Sequence, residues 1–209
     1  GREWLGWKVP TERSVLYIDE EMNLSTVKRR MRRMGLALRS PSTLPLRMLT
    51  RTGLHFGELA APALLASLKR WNFSPQVIII EAMRRVMLGD ENHAADVAKF
   101  WSNLTPLMSA GCTVIVSHHM SKPNLEHPRD LRNRQSGSTD ILAGVDCAFA
   151  LTRQGKSTMA DVTQTKQREG EEAGTWTFLV ESTGDPRMGP IALRRDTTFK
   201  APGTANPWA

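Results

Sequence analysis

The sequence predicts an α/β protein with a mostly parallel central sheet flanked by helices. Short apolar segments of strand length alternate with amphipathic helical segments, which is the pattern of βαβ units. The run 77–80 is one valine and three isoleucines after Pro75, and is typical of a strand buried on both faces. Charged or imidazole side chains follow three of the strands. Because open α/β sheets bind ligands at the carboxyl ends of their strands, we expect the functional site there.

The chain divides into an arm, a core and a tail. Residues 1–14 lack periodicity and are interpreted as the arm, residues 15–184 as the core domain, and the Pro- and Gly-rich residues 185–209 as the tail. The predicted strands are 15–18, 46–50, 77–80, 113–117, 145–151, 158–165 and 175–181. The predicted helices are about 23–35, 57–71 and 90–111, and Pro106 is expected to kink or shorten the last of them.

The charge balance favours an acidic partner. The 209 residues carry a formal net charge of +7, and the pI is about 9.9, which most often indicates contact with nucleic acid. Basic residues cover much of the predicted helix 23–35; we interpret them as solvated surface, with a nucleic-acid contact as the alternative. The sequence has no apolar run near 18 residues and no signal-peptide pattern, so we expect a cytoplasmic protein.

Three strand ends are candidates for a shared site. Glu21 follows the first predicted strand, Glu81 ends the central one, and His119 follows the strand at 113–117. If these strands are neighbours in a parallel sheet, the three side chains meet at one edge. The polar segment 120–137 follows directly, and a loop of this length in a compact domain is usually functional or disordered.

Five segments in this order resemble the motifs of RecA-like P-loop ATPases, most closely the hexameric plasmid replication helicases of the RepA type. They are VLYIDEE at 15–21, VIIIEAMRR at 77–85, SHHMSK at 117–122, RQSGS at 134–138 followed by Asp146, and TKQREG at 165–170. Each motif alone is short, but their shared order makes the resemblance more specific. It covers roughly residues 15–181 and implies a RecA-like three-layer fold.

The resemblance implies roles for the residues at the strand ends. Glu21 falls on the family's glutamate that polarises the attacking water. Glu81 falls on the strand-end carboxylate that positions Mg²⁺ on the phosphates of ATP, directly or through water. His118 would lie at the nucleotide, and His119 would sense its γ-phosphate.

The same resemblance implies two further contacts. Lys166 and Arg168 fall on the Lys-x-Arg hairpin that reaches the nucleotide of a neighbouring subunit, so we expect a homo-oligomer, either a hexameric ring or a filament. The loop after His119 falls on the mobile segment that contacts single-stranded DNA. Its cationic residues are Lys122, Arg129, Arg132 and Arg134.

The sequence departs from the family pattern in two places. Glu81 stands where the family has an aspartate, so the carboxylate is one methylene longer. No segment reads G-x-x-x-x-G-K-[ST], the phosphate loop that the family places before the strand at 15–18. We therefore expect residue 1 to begin a fragment, or a natural protein without this loop, and the chain alone to bind nucleotide poorly.

Three classes of function remain open from the sequence. The first is an ATP-driven helicase or other DNA motor, and the second is a catalytically inactive RecA-like module that binds DNA or assembles with active subunits. The third is a two-carboxylate metal nuclease that uses Glu21 and Glu81, which no other feature supports. The pair His118 and His119 is a poor chelate, since adjacent strand residues point to opposite faces.

Overall fold

We describe the fold from a computed structural model of the chain. The structure describes residues 2–4, 7–39, 43–121, 130–153, 155–185 and 187–196. The predicted DNA-contacting residues Lys122 and Arg129 lie outside these ranges. No helix in the described part is long and apolar enough to cross a lipid bilayer.

The described elements are labelled in chain order. The strands are β1 (Arg2–Trp4), β2 (Trp7–Val9), β3 (Val15–Asp19), β4 (Leu46–Thr50), β5 (Val77–Glu81), β6 (Thr113–Val116), β7 (Cys147–Thr152), β8 (Met159–Gln167), β9 (Thr175–Ser182) and β10 (Ile191–Arg195). The helices are α1 (Leu24–Leu38), α2 (Ala60–Arg70), α3 (Met83–Val86), α4 (Ala94–Ser109) and α5 (Asp140–Ala143), with a 3₁₀ turn at Leu131–Asn133.

The chain forms two compact units. One contains residues 13–27 and 43–144 and is called the parallel-sheet unit below. The other contains residues 1–12, 28–42 and 145–209 and is called the antiparallel-sheet unit. Each is described by itself.

The parallel-sheet unit confirms the predicted α/β architecture. Its four strands have the order β4-β3-β5-β6, and every neighbouring pair is parallel. Leu16, Ile18, Ile78 and Ile80 form one fully buried face. They belong to the same apolar core as the inward-facing side chains of α2 and α4.

Burial of the central strands is less symmetric than the sequence predicts. The register places Tyr17, Ile79 and Ile115 together on the second face of the sheet, where none of them is fully buried. Ile115 is half exposed. A run of isoleucines predicts a strand but does not show how completely each face is covered, because β-branched residues favour strands on either kind of face.

The late strands form a sheet of their own. In the antiparallel-sheet unit the order is β10-β9-β8-β7, with antiparallel pairs throughout, and β1 and β2 form a short hairpin where an arm was predicted. Trp7 of this hairpin packs edge-on against Trp176 at 6.0 Å between ring centroids. Strand β10 lies within residues 185–209, for which a tail was predicted. Tertiary contacts of this kind are invisible to local periodicity.

One helix runs past its predicted end, and another continues through a proline that was expected to kink or shorten it. Asn23 caps α1, since its Oδ1 accepts the backbone N–H of Thr26 at 2.9 Å, and the helix continues through Gly35 to Leu38. Helix α4 continues through Pro106 for three more residues, with Leu104 and Leu107 buried on either side of the proline. Burial of these leucines offsets the lost backbone hydrogen bond, so tertiary packing overrides the local signal.

Candidate functional site

The carboxyl ends of β3, β5 and β6 are joined by backbone hydrogen bonds. Glu20 donates its N–H to the carbonyl of Glu81 at 2.9 Å, and Ser117 donates to the carbonyl of Ile80 at 2.9 Å. The carbonyl of Ser117 in turn accepts the N–H of Met83 at 2.9 Å. These contacts fix the segments that carry Glu21, Glu81 and His119 at one edge of the parallel sheet.

At this edge the side chain of Glu21 faces two basic side chains. Its Oε1 lies 3.4 Å from Nε2 of His119 and 3.7 Å from Nε of Arg85. The Glu21 side chain is 28% exposed, whereas those of His119 and Arg85 are more than half exposed. The carboxylate is therefore oriented by its neighbours and still reachable by solvent.

The buried side chain of Asp19 fixes the backbone of the segment that carries Glu21. Asp19 is fully buried, and its Oδ1 accepts the N–H groups of Glu21 at 2.9 Å and Met22 at 2.7 Å. Its Oδ2 accepts the hydroxyl of Tyr17 at 3.1 Å. Arg51 donates from Nη2 to the carbonyl of Glu21 at 2.9 Å. The loop after β3 is thus fixed on both sides, and Glu21 projects from a rigid support.

Glu20 has a different task from its neighbours. Its Oε1 accepts the hydroxyl of Thr52 at 2.6 Å and the N–H of Thr52 at 2.9 Å, and its Oε2 accepts the N–H of Gly53 at 3.0 Å. Partial burial raises the pKa of Glu20, but these hydrogen bonds outweigh that effect, and its net pKa is lowered. Glu20 therefore anchors the loop after β4.

Glu81 is the carboxylate that suits a metal ion. It is half-buried at the end of β5, and its side chain forms no hydrogen bond or ion pair with any residue that the structure describes. No group of three His, Cys, Asp or Glu side chains in the described ranges could enclose a metal. Mg²⁺ does not require such a cage, because it usually takes one or two carboxylates together with water and substrate phosphates. The free carboxylate fits that mode of binding.

The two histidines connect the sheet edge to the following loop. His118 donates from Nε2 to the carbonyl of Ser136 at 2.7 Å, since a carbonyl can only accept. Ser136 donates its N–H to the carbonyl of His119 at 3.0 Å, and Ser121 donates to the carbonyl of Arg134 at 2.7 Å. Met120 and Gln135 form an antiparallel bridge between these contacts. The loop therefore has a short antiparallel stem that begins at His119.

The far side of the stem is held by Glu91. Its Oε1 accepts the hydroxyl of Ser136 at 3.1 Å, and its carbonyl accepts the N–H of Ser138 at 2.8 Å. Gly137 between them has a φ of +85°, and a Cβ there would lie 2.5 Å from the Glu91 carbonyl oxygen. Only glycine fits this position without moving the segment.

The cationic loop residues are only partly described. Arg134 is half-buried and donates from Nη2 to the carbonyl of Ser121 at 3.2 Å, so it helps to close the stem. Arg132 is exposed and donates its backbone N–H to Asp130 Oδ1 at 3.0 Å. Of the two, Arg132 has the more accessible side chain.

Lys166 and Arg168 belong to the antiparallel-sheet unit. Lys166 lies near the end of β8, opposite Ala148 of β7, and Arg168 begins the turn to β9. Arg168 Nη1 lies 2.8 Å from Asp146 Oδ1. Strands β8 and β9 form a hairpin at this position, and Arg168 has an acidic partner in its own chain.

A Gly-Lys-Ser tripeptide at 155–157 is not a phosphate loop. It lies in the turn between β7 and β8, and a strand follows it. The phosphate loops of nucleotide-binding proteins lead into a helix whose N-terminus faces the phosphates.

The sequence predicted that His119 meets Glu21, but not the other residues that orient Glu21. Arg85 belongs to the pair Arg84-Arg85 that follows the central strand, and this pair could have indicated a cation near the strand end. Arg51 carries no such signal, because only the folded sheet brings it to Glu21. Asp19 is the first of three consecutive acidic residues at 19–21, and its position as the last residue of the buried strand could have distinguished it from Glu20 and Glu21.

The fold is that of RecA-like α/β proteins. A KaiC-like protein of the hyperthermophilic archaeon Pyrococcus horikoshii matches with a TM-score of 0.53 at 12% sequence identity, over 86% of this chain and 76% of that one. At this identity the similarity concerns the fold alone.

The sequence places the chain in a family. A family model described as an AAA domain matches residues 1–124, so the chain belongs to this AAA domain family. A comparison with curated protein sequences gives no match.

Proposed function

We propose that the chain is the ATPase core of a DNA helicase or related motor, which couples ATP hydrolysis to movement on single-stranded DNA. The observation that carries this proposal is the placement of Glu21. Its carboxylate is fixed from below by Asp19 and lies 3.4 Å from His119 at the carboxyl edge of a parallel sheet. Family membership and the RecA-like fold support nucleotide use at this edge.

Each residue at this edge of the sheet has its own role in the proposed hydrolysis of ATP. Glu21 accepts a hydrogen bond from the attacking water and orients it for in-line attack. Arg85 and His119 hold the Glu21 carboxylate. Glu81 would hold Mg²⁺, directly or through water, and the ion would supply charge neutralisation on the β- and γ-phosphates. His118 would lie at the nucleotide, at the end of β6, and its hydrogen bond to the carbonyl of Ser136 would hold it there.

A route from this edge to the DNA runs through the stem after His119. A shift of His119 is transmitted to Ser136, whose N–H binds the His119 carbonyl and whose carbonyl binds His118. The loop beyond the stem carries Lys122, Arg129 and Arg132, which would bind the phosphates of single-stranded DNA. Arg134 would act at the base of the loop, where it closes the stem.

The last part of the proposal is that the chain assembles with copies of itself. We place Lys166 and Arg168 at the nucleotide of a neighbouring subunit, where they would offset charge in the transition state. Such a contact needs a homo-oligomer, most simply the hexameric ring of the RepA-type helicases that the motifs resemble.

The experiment compares Glu21→Gln with Glu20→Gln in the full-length natural protein. We expect Glu21→Gln to lower the ATP turnover number at least about 100-fold while a fluorescent ATP analogue still binds, since only the activating carboxylate is lost. Glu20→Gln is the matched control, because its carboxylate is occupied by Thr52 and Gly53. Phosphate release is measured with and without single-stranded DNA, and strand separation with a forked duplex.

Two results would contradict the proposal in different ways. Equal effects of the two substitutions would show that Glu21 has no special role. A wild-type protein that binds single-stranded DNA without any ATP turnover would instead be the inactive RecA-like module.

A further inference from the structure

Helix α1 carries an unusual concentration of positive charge. Its fifteen residues include Lys28, Arg29, Arg30, Arg32 and Arg33, and no acidic residue. Among the described residues, Arg33 is the one of these five whose side chain has partners: it donates from Nε to the carbonyl of Gly189 at 2.6 Å and from Nη2 to Ser182 Oγ at 2.8 Å. The other four are exposed.

These four side chains have no counter-charge in the part of the chain that the structure describes. None of them forms a hydrogen bond or ion pair there, although other exposed cations do. Lys99 pairs with Glu58 at 3.1 Å, and Arg194 with Glu181 at 3.2 Å. The four residues of α1 are therefore available to an external anion.

The spacing of the charges is unfavourable for an isolated helix. Lys28 and Arg32 are four residues apart, as are Arg29 and Arg33, and like charges at this spacing repel each other. Such a pattern is stabilised when an anion with several charges binds along the helix. A feature that breaks a local rule without an internal compensation points to a function.

Three of the exposed cations, Lys28, Arg29 and Arg32, lie on the side of α1 away from its apolar stripe, whereas Arg30 lies beside the stripe. At 100° per residue, Lys28, Arg29 and Arg32 span about a quarter of the circumference, and Lys28 and Arg32 are about 6 Å apart along the axis. Val27, Met31 and Met34 occupy the opposite side, where Val27 is buried. The basic surface of Lys28, Arg29 and Arg32 is called the α1 basic face.

We propose that the α1 basic face binds the phosphodiester backbone of nucleic acid. A membrane surface fits less well, because the exposed leucines form no continuous stripe: Leu24 and Leu38 lie at opposite ends of the helix and Leu36 on another side. A protein partner fits less well too, since Leu36 alone could serve as an apolar anchor on this face. A phosphate backbone requires only a row of cations and no base contacts.

This site goes beyond the proposed ATPase, because binding by the α1 basic face needs no nucleotide. Its test therefore uses no ATP and stays separate from the test of Glu21. Binding of a fluorescent thirty-residue oligothymidylate is followed by anisotropy over a range of salt concentrations. A duplex of the same length, run in parallel, shows whether single or double strands are preferred.

The test variant is Lys28→Ala/Arg29→Ala/Arg32→Ala. Its matched control is Arg70→Ala/Lys99→Ala/Arg194→Ala, which also removes three positive charges, at exposed side chains that have partners within the chain. We expect the test variant to lower the salt slope for the single strand by about 2, at about 0.7 per lost phosphate contact. We expect at least a tenfold loss of affinity at low salt, with a much smaller change in the control.

A conservative variant separates charge from folding. Arg29→Lys/Arg32→Lys keeps the charges and should retain the slope, while circular dichroism verifies that all variants are folded. Equal losses in test and control variants would overturn the proposal, because bulk charge would then explain binding. So would an unchanged slope in the test variant. Selective loss of binding to phosphatidylserine vesicles or to polyglutamate, with DNA binding unchanged, would assign the face to a membrane or an acidic protein instead.

Discussion

The Oε1 atom of Glu21 lies 3.4 Å from Nε2 of His119, although 98 residues separate them in the sequence. The contact spans the ends of β3 and β6, with the end of β5 between them. It joins the carboxylate proposed to orient water to the strand end that leads into the cationic loop. The proposed coupling of hydrolysis to DNA movement depends on this pair.

Asp19 is predicted to position Glu21. We expect Asp19→Ala to lower the turnover number of the full-length protein about tenfold or more with little change in KM, because the Glu21 backbone loses its anchor. The substitution leaves two N–H groups unpaired and should cost about 2 kcal/mol of stability. Steady-state ATPase kinetics and urea unfolding measure the two effects.

The conservative variant separates positioning from folding. Asp19→Asn keeps an oxygen that can accept the N–H groups of Glu21 and Met22, so it should recover most of the turnover. If Asp19→Ala lowered stability while turnover stayed at the wild-type value, Asp19 would be structural only.

Glu20 should make the stability depend on pH. Its pKa is lowered in the folded state, so its ionised form favours folding above the ordinary glutamate pKa of about 4.3. That contribution is lost as the pH falls through the lowered folded value. We expect Glu20→Gln to reduce stability by about 1 kcal/mol near pH 7 and to match the wild type at strongly acidic pH. Urea unfolding at several pH values measures the difference; a constant difference would contradict the assignment.

Ile80 should contribute strongly to the core of the parallel-sheet unit. It is fully buried in β5, so Ile80→Ala should cost about 2–5 kcal/mol through lost burial and the cavity left behind. Ile79→Ala is the matched control, because the same side chain is removed from the less buried face of the same strand. Equal shifts of the urea midpoint would show that both faces are covered alike.

The sequence predicted the parallel sheet because its strands are short apolar runs with clear stops. It also placed Glu21, Glu81 and His119 at strand ends, where parallel topology brings them to one edge. The remaining partners of Glu21 were not predictable in the same way. Arg51 reaches the Glu21 carbonyl only after β4 has paired with β3, and such a contact has no local signature.

The continuation of α4 past Pro106 shows another limit of prediction from local sequence signals. A proline in the sequence indicates that a helix loses stability at that position. The burial of Leu104 and Leu107 outweighs this loss, but it depends on the whole fold and cannot be read from the local sequence. The late strands show the same limit, because alternation predicts a strand but not the sheet that it joins.

Arg168 is predicted to act on a neighbouring subunit. Its pair with Asp146 is 2.8 Å long, but the two side chains are 57% and 79% exposed, so breaking it should cost less than about 1 kcal/mol. Arg168→Ala and Glu21→Gln should each abolish turnover alone. Mixed in equal amounts and reassembled, they should regain about one quarter of the wild-type rate, because that share of sites combines an intact Glu21 with a neighbour's intact Arg168. Asp146→Ala, which only releases Arg168, is the control and should keep full activity. No recovery on mixing, with assembly verified by light scattering, would place Arg168 in its own subunit's site or outside catalysis.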